Sequence, residues 1–584
     1  MKQIYKTLVL SLLLYSPVAV FAQSAPIAID ANFNDWTSDL TTITDVSETL
    51  SGVDMLEMQV SNDDEFLFIR LKANVEFKLC DNTIPHDLRL YLDTDNNEST
   101  GFPVQTGYGA EFEIVFNQLR GISHFNDPGD TVRFLKFSFR QAPTVSSNEY
   151  EIAIKRSAVP DNVNQLFTSS TIKILLVNKK NGDIMPEQGE VFSYTFDETP
   201  VPPYNPVEIN KENTDHIRIV AYNVKLDGFI KWRAPYLDSI VRALKPDIIG
   251  FSECHDTGID TVKNLLDLLV PTGTTEGWFV DKKNSGDLIT ASRWPIISDW
   301  NYLERQYPAL IDLPESYETD LLFTNAHLSP YSSNDDLRQE QADQYISFIL
   351  DAKTEGGSVT LPEGTPFVYA GDLNLVGLAQ QLRTLLTGDI QNTGLFGAGE
   401  APDWDGTDVV DNMALQTEKR MNYTWRNDKK DYPPGKLDFM IYSDAVLTAE
   451  KSFVLQTEMM SQERLDLYDL DKNATGTASD HFPVVSDFSI HPYNGVTGIQ
   501  NRTIYPRLNH KIYPNPLLER INITFSATGE YKVILTDVRG NSIFSDKMIK
   551  NSTTIDTENL KPGIYFIAIT DADGNKEIHR VMKL

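Results

Sequence analysis

The sequence predicts three folded blocks, with a β-sandwich on either side of a middle block of polar-ended strands. Three observations carry this reading. Its 584 residues exceed one core, and about 150 residues per domain gives three or four. Two stretches lack apolar periodicity and carry the proline or glycine of linkers, residues 199–213 and 491–510. Short runs rich in β-branched and aromatic residues, bounded by Asp, Asn and Gly, fill the first and last blocks. A hydrophobic content of 41 % and an aromatic content of 10 % exclude a largely disordered chain. The 51 Lys and Arg against 83 Asp and Glu give a net charge of −32, which excludes a polybasic nucleic-acid binder. The two cysteines, Cys80 and Cys254, exclude a disulfide scaffold and read as free thiols.

Residues 1–22 read as a signal peptide. Lys2 and Lys6 precede an apolar stretch from Leu8 to Val20, and small residues end it before Gln23. No other segment has the roughly 18 apolar residues of a membrane helix. The mature chain is therefore expected to be exported, with no transmembrane segment.

Residues 23–198 read as a β-sandwich, from runs such as Phe66–Leu71, Leu88–Leu92 and Glu111–Phe116. Asp93, Asp95 and Asn97 sit at alternate positions of a loop after one strand. Their oxygens suit Ca²⁺, although no Glu follows at the twelfth loop position of an EF-hand; an ordinary Asx-rich turn is the alternative. The opening Ile29-Asp30-Ala31-Asn32-Phe33-Asn34-Asp35-Trp36 resembles that of family-nine-like carbohydrate-binding domains, which implies a glycan partner.

Residues 214–490 read as strands that each present a polar group at one end. Ile217–Tyr222 leads to Asn223, Asp247–Phe251 to Glu253, and Leu321–Thr324 to Asn325 and His327. Phe367–Ala370 leads to Asp372 and Asn374, Asp438 opens Phe439–Tyr442, and Asp480-His481 precedes Phe482–Val485. Alone, each such Asn or Asp reads as a turn former. Neighbouring strand ends converge, so together they predict one cluster.

The ordered motifs Tyr222-Asn223, Ser252-Glu253, Asn325-Ala326-His327-Leu328, Gly371-Asp372-Leu373-Asn374, Lys436-Leu437-Asp438-Phe439 and Ser479-Asp480-His481-Phe482-Pro483 closely resemble the endonuclease/exonuclease/phosphatase superfamily. The resemblance implies an α+β catalytic domain, a four-layer αββα sandwich, with Mg²⁺ or Mn²⁺ as cofactor. It implies Glu253 on the metal with Asn223 and Asp480 nearby, and Asp372 orienting or deprotonating the attacking water. Asn374 would hold that water or a phosphate oxygen. His327 and His481 would donate to the phosphate, with Asp438 fixing the His481 tautomer. Trp425 and Arg426, in Tyr423-Thr424-Trp425-Arg426, look like a family element near the phosphate. Digestive DNases carry a further Glu beside the first histidine, and none stands near residues 288–296. Ser292-Arg293-Trp294-Pro295-Ile296 instead looks like a segment shared with sphingomyelinases and phosphatases. No basic loop stands out to embrace a duplex: Lys282 with Lys283, and Lys429 with Lys430, are only pairs.

Residues 511–584 read as a small β-sandwich. Tyr513-Pro514-Asn515-Pro516 and Leu560-Lys561-Pro562-Gly563-Ile564-Tyr565 resemble the type IX secretion sorting domain of Bacteroidetes, which implies that machinery as a partner and a secreted or outer-membrane location. The expected activity is phosphodiester hydrolysis, first of extracellular nucleic acid. Phospholipid headgroups or small phosphoesters are the alternative, and a glycan-binding protein with a silent middle block the third reading.

Overall fold

A computed structural model describes residues 25–45, 51–81, 86–126, 129–493, 510–513, 519–537, 542–561, 563–571 and 576–583. The expected signal peptide, most of the second linker and Pro514-Asn515-Pro516 lie outside them. The chain divides into two compact units, Met1–Gly495 and Val496–Leu584. No helix among the described residues is long and apolar enough to cross a membrane.

The first block is a β-sandwich. One sheet runs Thr41–Thr44, Met55–Asn62, Phe66–Phe77, Ser147–Lys155, Arg140–Ala142. The other runs Ile184–Met185, Thr171–Asn178, Leu88–Asp93, Phe112–Val115, Arg120–Ser123, Asp130–Arg133. Strand periodicity explains a further contact. In Phe66–Phe77, Leu67, Ile69 and Leu71 face the sandwich interior, whereas Phe66 and Phe68 point the other way, into a core shared with the middle block. A strand apolar on both faces needs cover on both, and here the middle block supplies the second.

Ile27, Ile29, Trp36, Leu40, Ala142 and Ala153 join that shared core. The two blocks are thus not separate modules, despite their linker. The linker is itself laid down on the middle block: Tyr204 Oη donates to Gln416 O at 3.0 Å, and Val207 N to Thr417 O at 2.9 Å.

The middle block holds two six-stranded sheets. The first has the order Phe279–Lys282, Ile289–Ser292, Ile248–Ser252, Ile217–Asn223, Val484–Ile490, Leu447–Val454. The second has the order Ile296–Asp299, Gln306–Ile311, Leu321–His327, Phe367–Asp372, Asp438–Tyr442, Val410–Asp411. Each sheet has one central parallel pair, Ile217–Asn223 with Ile248–Ser252 and Leu321–His327 with Phe367–Asp372. The two sheets share apolar residues such as Ile219, Ile248, Phe323, Val368 and Met440. A second cluster joins the first sheet to helices Ala234–Leu244 and Ile259–Leu269, and a third joins the second sheet to helices Asp335–Ala352 and Gln380–Thr387.

The last unit holds five antiparallel strands around Ile521, Ile523, Val533, Leu535, Ile567 and Ile569. They join into one hydrogen-bonded sheet rather than two. The reason is that Arg520–Asp537 is one long strand whose register shifts between Thr524 and Gly529, so its two stretches stay in one sheet.

Candidate active site

The strand ends converge as their polar groups led one to expect. Asn223, at the end of Ile217–Asn223, is fully buried and reaches across to the second sheet. Its Nδ2 donates to Glu253 Oε1 and to Asp372 Oδ2, both at 3.0 Å. Glu253 follows its strand with φ 60°, and Asn374 follows Asp372 with φ 49°. Such left-handed residues are costly outside glycine and collect at functional sites. The Glu253 Oε2 accepts from Leu226 N at 2.8 Å, and Asn374 Nδ2 donates to Leu328 O at 3.1 Å. Gly371 is required where it stands, because a Cβ there would lie 1.9 Å from Ala326 O of the parallel neighbour.

Two carboxylate–imidazole pairs flank Asp372. Asp438 Oδ2 lies 2.8 Å from His481 Nδ1, and His481 Nε2 lies 3.5 Å from Asp372 Oδ2. On the other side Asp287 Oδ2 lies 2.6 Å from His327 Nδ1, and His327 Nε2 lies 3.7 Å from the same Asp372 oxygen. Asp287 corrects the sequence reading. A supporting carboxylate for the first histidine does exist; it is an Asp, one residue before the stretch where a Glu was sought. Arg305 joins this pair, its Nε donating to His327 O at 2.6 Å. Neither Asp287 nor Arg305 was singled out in the sequence, where each is one charged loop residue among many.

Burial raises Asp372, and its histidine neighbours only partly offset this. Burial alone would lower His481, but Asp438 and then Asp372 outweigh it and hold the imidazole up to about 10. His481 therefore keeps both protons at neutral pH. Burial would raise Asp287, yet the bond to His327 and the charges of His327 and Arg305 hold it at about 2.

Asp480 is set by Lys225 Nζ and Asn427 Nδ2, each at 3.0 Å. Burial would raise it, while His481 and Lys225 bring it below the usual carboxylate range. Asp372, Asp438 and His481 each offer a ligand atom within 4.8 Å of the others, and Asp438 Oδ1 is buried with no hydrogen-bond partner. Trp425 serves through its backbone, bridging to His481 and Gly435. The Arg426 guanidinium is paired with Glu458 at 2.6 Å and Asp428 at 3.1 Å. Thr424 Oγ1 accepts from Leu437 N and Asp438 N at 2.9 and 2.8 Å. Asn325 is structural: its Nδ2 donates to Phe251 O and Ile289 O of the other sheet, both at 3.0 Å. A cavity of about 420 Å³, lined by His255, Lys283, Asn301, Tyr302 and Arg305 among others, adjoins Asp287.

In the sandwich, Asp93 and Asp95 come together with a third carboxylate, Glu111, which the sequence did not single out. Asn97 N instead donates to Asp93 Oδ1 and Asp95 Oδ1 at 3.1 and 2.9 Å, closing the loop on itself. Lys173 Nζ lies 3.0 Å from Asp93 Oδ2, and Glu111 Oε1 is buried without a partner. Trp36, the aromatic of the carbohydrate-binding-like opening, is 5 % exposed and donates to Glu151 Oε2 at 2.9 Å. It is not presented to a sugar.

Two family models match the chain: the endonuclease/exonuclease/phosphatase family over residues 220–481, and the secretion system C-terminal sorting domain over residues 511–583. No curated protein matches. Among solved structures, an endonuclease/exonuclease/phosphatase from Beutenbergia cavernae DSM 12333 is similar at 14 % identity, covering 63 % of this chain and 100 % of its own, with TM-score 0.29. ANGEL2, a 2′,3′-cyclic phosphatase, is similar at 13 % identity, over 47 % of this chain and 96 % of its own, with TM-score 0.32. A family protein from Leptotrichia buccalis C-1013-b is similar at 13 % identity, over 47 % and 99 %, with TM-score 0.29. Residues 220–481 are thus an endonuclease/exonuclease/phosphatase family domain, and residues 511–583 a sorting domain for export through the type IX secretion system.

Proposed function

We propose that residues 214–490 form a four-layer catalytic domain that hydrolyses phosphodiester bonds with a bound divalent cation, outside the cell. The observation that carries this is the convergence of two carboxylate–imidazole pairs on Asp372. A phosphodiester gains negative charge as water attacks it, and hydrogen-bond donors aimed at that charge lower the barrier. His327 and His481 supply those donors. Asp372, raised by burial, accepts the water's proton as the new P–O bond forms and the bond to the leaving oxygen breaks. Asn374 holds the water or a non-bridging oxygen.

The donor set fits Mg²⁺ or Mn²⁺. Glu253 and Asp480 offer hard carboxylate oxygens, and the Asn223 amide adjoins Glu253 at 3.0 Å. Glu253 would hold the cation with Asn223 and Asp480 beside it; when bound, it neutralises phosphate charge. The cavity beside Asp287 is of a size to take the part of the substrate beyond the phosphate. The cluster suits nucleic acid, phospholipid headgroups and small phosphoesters alike, so the choice among them rests on the rim of the site. The test is hydrolysis of DNA, RNA, sphingomyelin and a chromogenic phosphodiester. Release of product is expected on at least one, abolished by excess chelator and restored by Mg²⁺ or Mn²⁺. Undiminished turnover in chelator would overturn the reading.

The boundaries 23–198, 214–490 and 511–584 are proposed for the three blocks, with residues 1–22 as the removed signal peptide. Ca²⁺ is proposed at Asp93, Asp95 and Asn97, with Glu111 as a further carboxylate beside them. Millimolar Ca²⁺ should raise the melting temperature, because a ligand bound only by the folded loop stabilises by mass action. Asp95→Ala with Glu111→Gln should erase the gain. An unchanged melting temperature in the unsubstituted protein would leave an Asx-rich turn.

A further inference from the structure

The loop of residues 225–233 departs from the strand that carries Asn223 and forms one rim of the site, its Leu226 N bonded to Glu253. It exposes three large apolar side chains: Leu226 at 60 %, Ile230 at 48 % and Trp232 at 76 %. This exposure is built in. Phe229, between them, is buried edge-on against Phe251 with ring centroids 4.9 Å apart. Asp227 Oδ1 accepts from Asp256 N, Thr257 N and Thr257 Oγ1 at 2.8–2.9 Å. Lys225, Leu226 and Asp227 are all left-handed, with φ 51°, 46° and 59°. The loop is thus pinned by two residues while their neighbours are held out in water. On the other sheet Tyr331, 74 % exposed, stands four residues beyond His327.

The charges around these side chains narrow the partner. Lys225, Lys231 and Arg233 lie in the loop, and its one acid, Asp227, is buried. Lys225 reaches Asp480 and Arg233 donates to the carbonyls of Val224 and Leu226, while Lys231 is exposed. The chain as a whole carries −32. That charge repels a polyanion such as nucleic acid and an anionic membrane, but not a zwitterionic bilayer. Leu and Ile have no face on which to stack a base, whereas Trp, Leu and Ile beside Lys and Arg suit the boundary between headgroups and acyl chains.

We infer that residues 225–233 dock the protein on a zwitterionic phospholipid surface, so that headgroup phosphodiesters reach the adjoining site. The docking stands on the loop alone; the hydrolysis rests on the phosphoesterase reading above. The test is flotation of the full secreted chain with phosphatidylcholine–sphingomyelin vesicles in chelator, so that binding is read without turnover. The chain should float with the vesicles, and Ile230→Ser with Trp232→Ser should bind about tenfold or more weakly. With metal restored, that variant should lose vesicle hydrolysis in proportion and keep turnover of a water-soluble phosphodiester, which also shows that it folds. Flotation without any hydrolysis would leave docking standing and overturn the enzymatic reading. Equal binding by variant and parent would overturn docking, and so would a chain that ignores vesicles but whose variant loses oligonucleotide hydrolysis; that second result would assign the loop to nucleic acid.

Discussion

Asp372→Asn should lower kcat on any phosphodiester the protein hydrolyses by about a thousandfold, within the range expected when a positioned base is removed. The change is nearly isosteric, and the Asn side chain still offers an oxygen to Asn223 Nδ2, so the fold should survive. That makes it a cleaner test than His481→Ala. Removing His481 strands Asp438, whose Oδ1 already lacks a partner, and breaking such a buried pair costs about 3–5 kcal/mol. The two supporting carboxylates give a second comparison. Asp438→Asn and Asp287→Asn each leave an imidazole in place but replace its charged acceptor with a neutral amide that can also donate, so the tautomer is no longer fixed. Each should cost about a hundredfold in kcat with a smaller change in KM. An Asp287→Asn enzyme with full turnover would show that His327 needs no such support and would remove one of the two pairs from the mechanism. An Asp372→Asn enzyme with full turnover would remove the base.

The central cluster was legible because its residues sit where strand periodicity stops. Asn223, Asp372 and Asp438 bound apolar runs; each alone reads as a turn former, and it is their repetition at one strand end after another that points to a cluster. Asp287 was hidden for the opposite reason. It lies in the loop Lys283-Asn284-Ser285-Gly286-Asp287, where an Asp is an ordinary turn former, and only the fold brings His327 beside it. No Glu marks the place; the shorter Asp287 carboxylate reaches His327 Nδ1 at 2.6 Å. The ion pair of Arg426 was not legible, because its partner Glu458 is 32 residues away in the chain. The shared core has its signal in the sequence: Phe66-Leu67-Phe68-Ile69 is apolar at every position, and a strand of a free-standing sandwich, with one face in water, would alternate.

That shared core leads to the other large expected effect. A chain beginning at residue 199 should fail to give a stable, active catalytic domain, whereas one beginning at residue 23 should fold and turn over, both ending at residue 493. Excision removes Ile27, Ile29, Trp36, Leu40, Phe66 and Phe68 from one cluster and bares the middle-block residues they cover, Met421 and Tyr423 among them. At about 1.5–3 kcal/mol for each large side chain buried, the loss is on the order of 10 kcal/mol, comparable with the whole stability of a domain. The damage is also aimed at the site. Asp30 O accepts from Asn422 Nδ2 at 2.9 Å, and Lys436 N donates to Thr144 Oγ1 at 2.9 Å. Between these two anchors lie Thr424, which holds the Asp438 backbone, and Trp425, which bridges to His481. Even a shortened chain that folds should therefore turn over more slowly, through loss of orientation at the Asp438–His481 pair. Trp36→Ala probes the same contact more gently. It empties a buried site and leaves Glu151 Oε2 without its donor, which should cost about 3–5 kcal/mol and lower the melting temperature of the catalytic block along with that of the sandwich. Thermal melts and turnover of the two chain lengths decide the matter. A chain starting at residue 199 that matches the longer one in both would show that the sandwich rests on the catalytic block without supporting it.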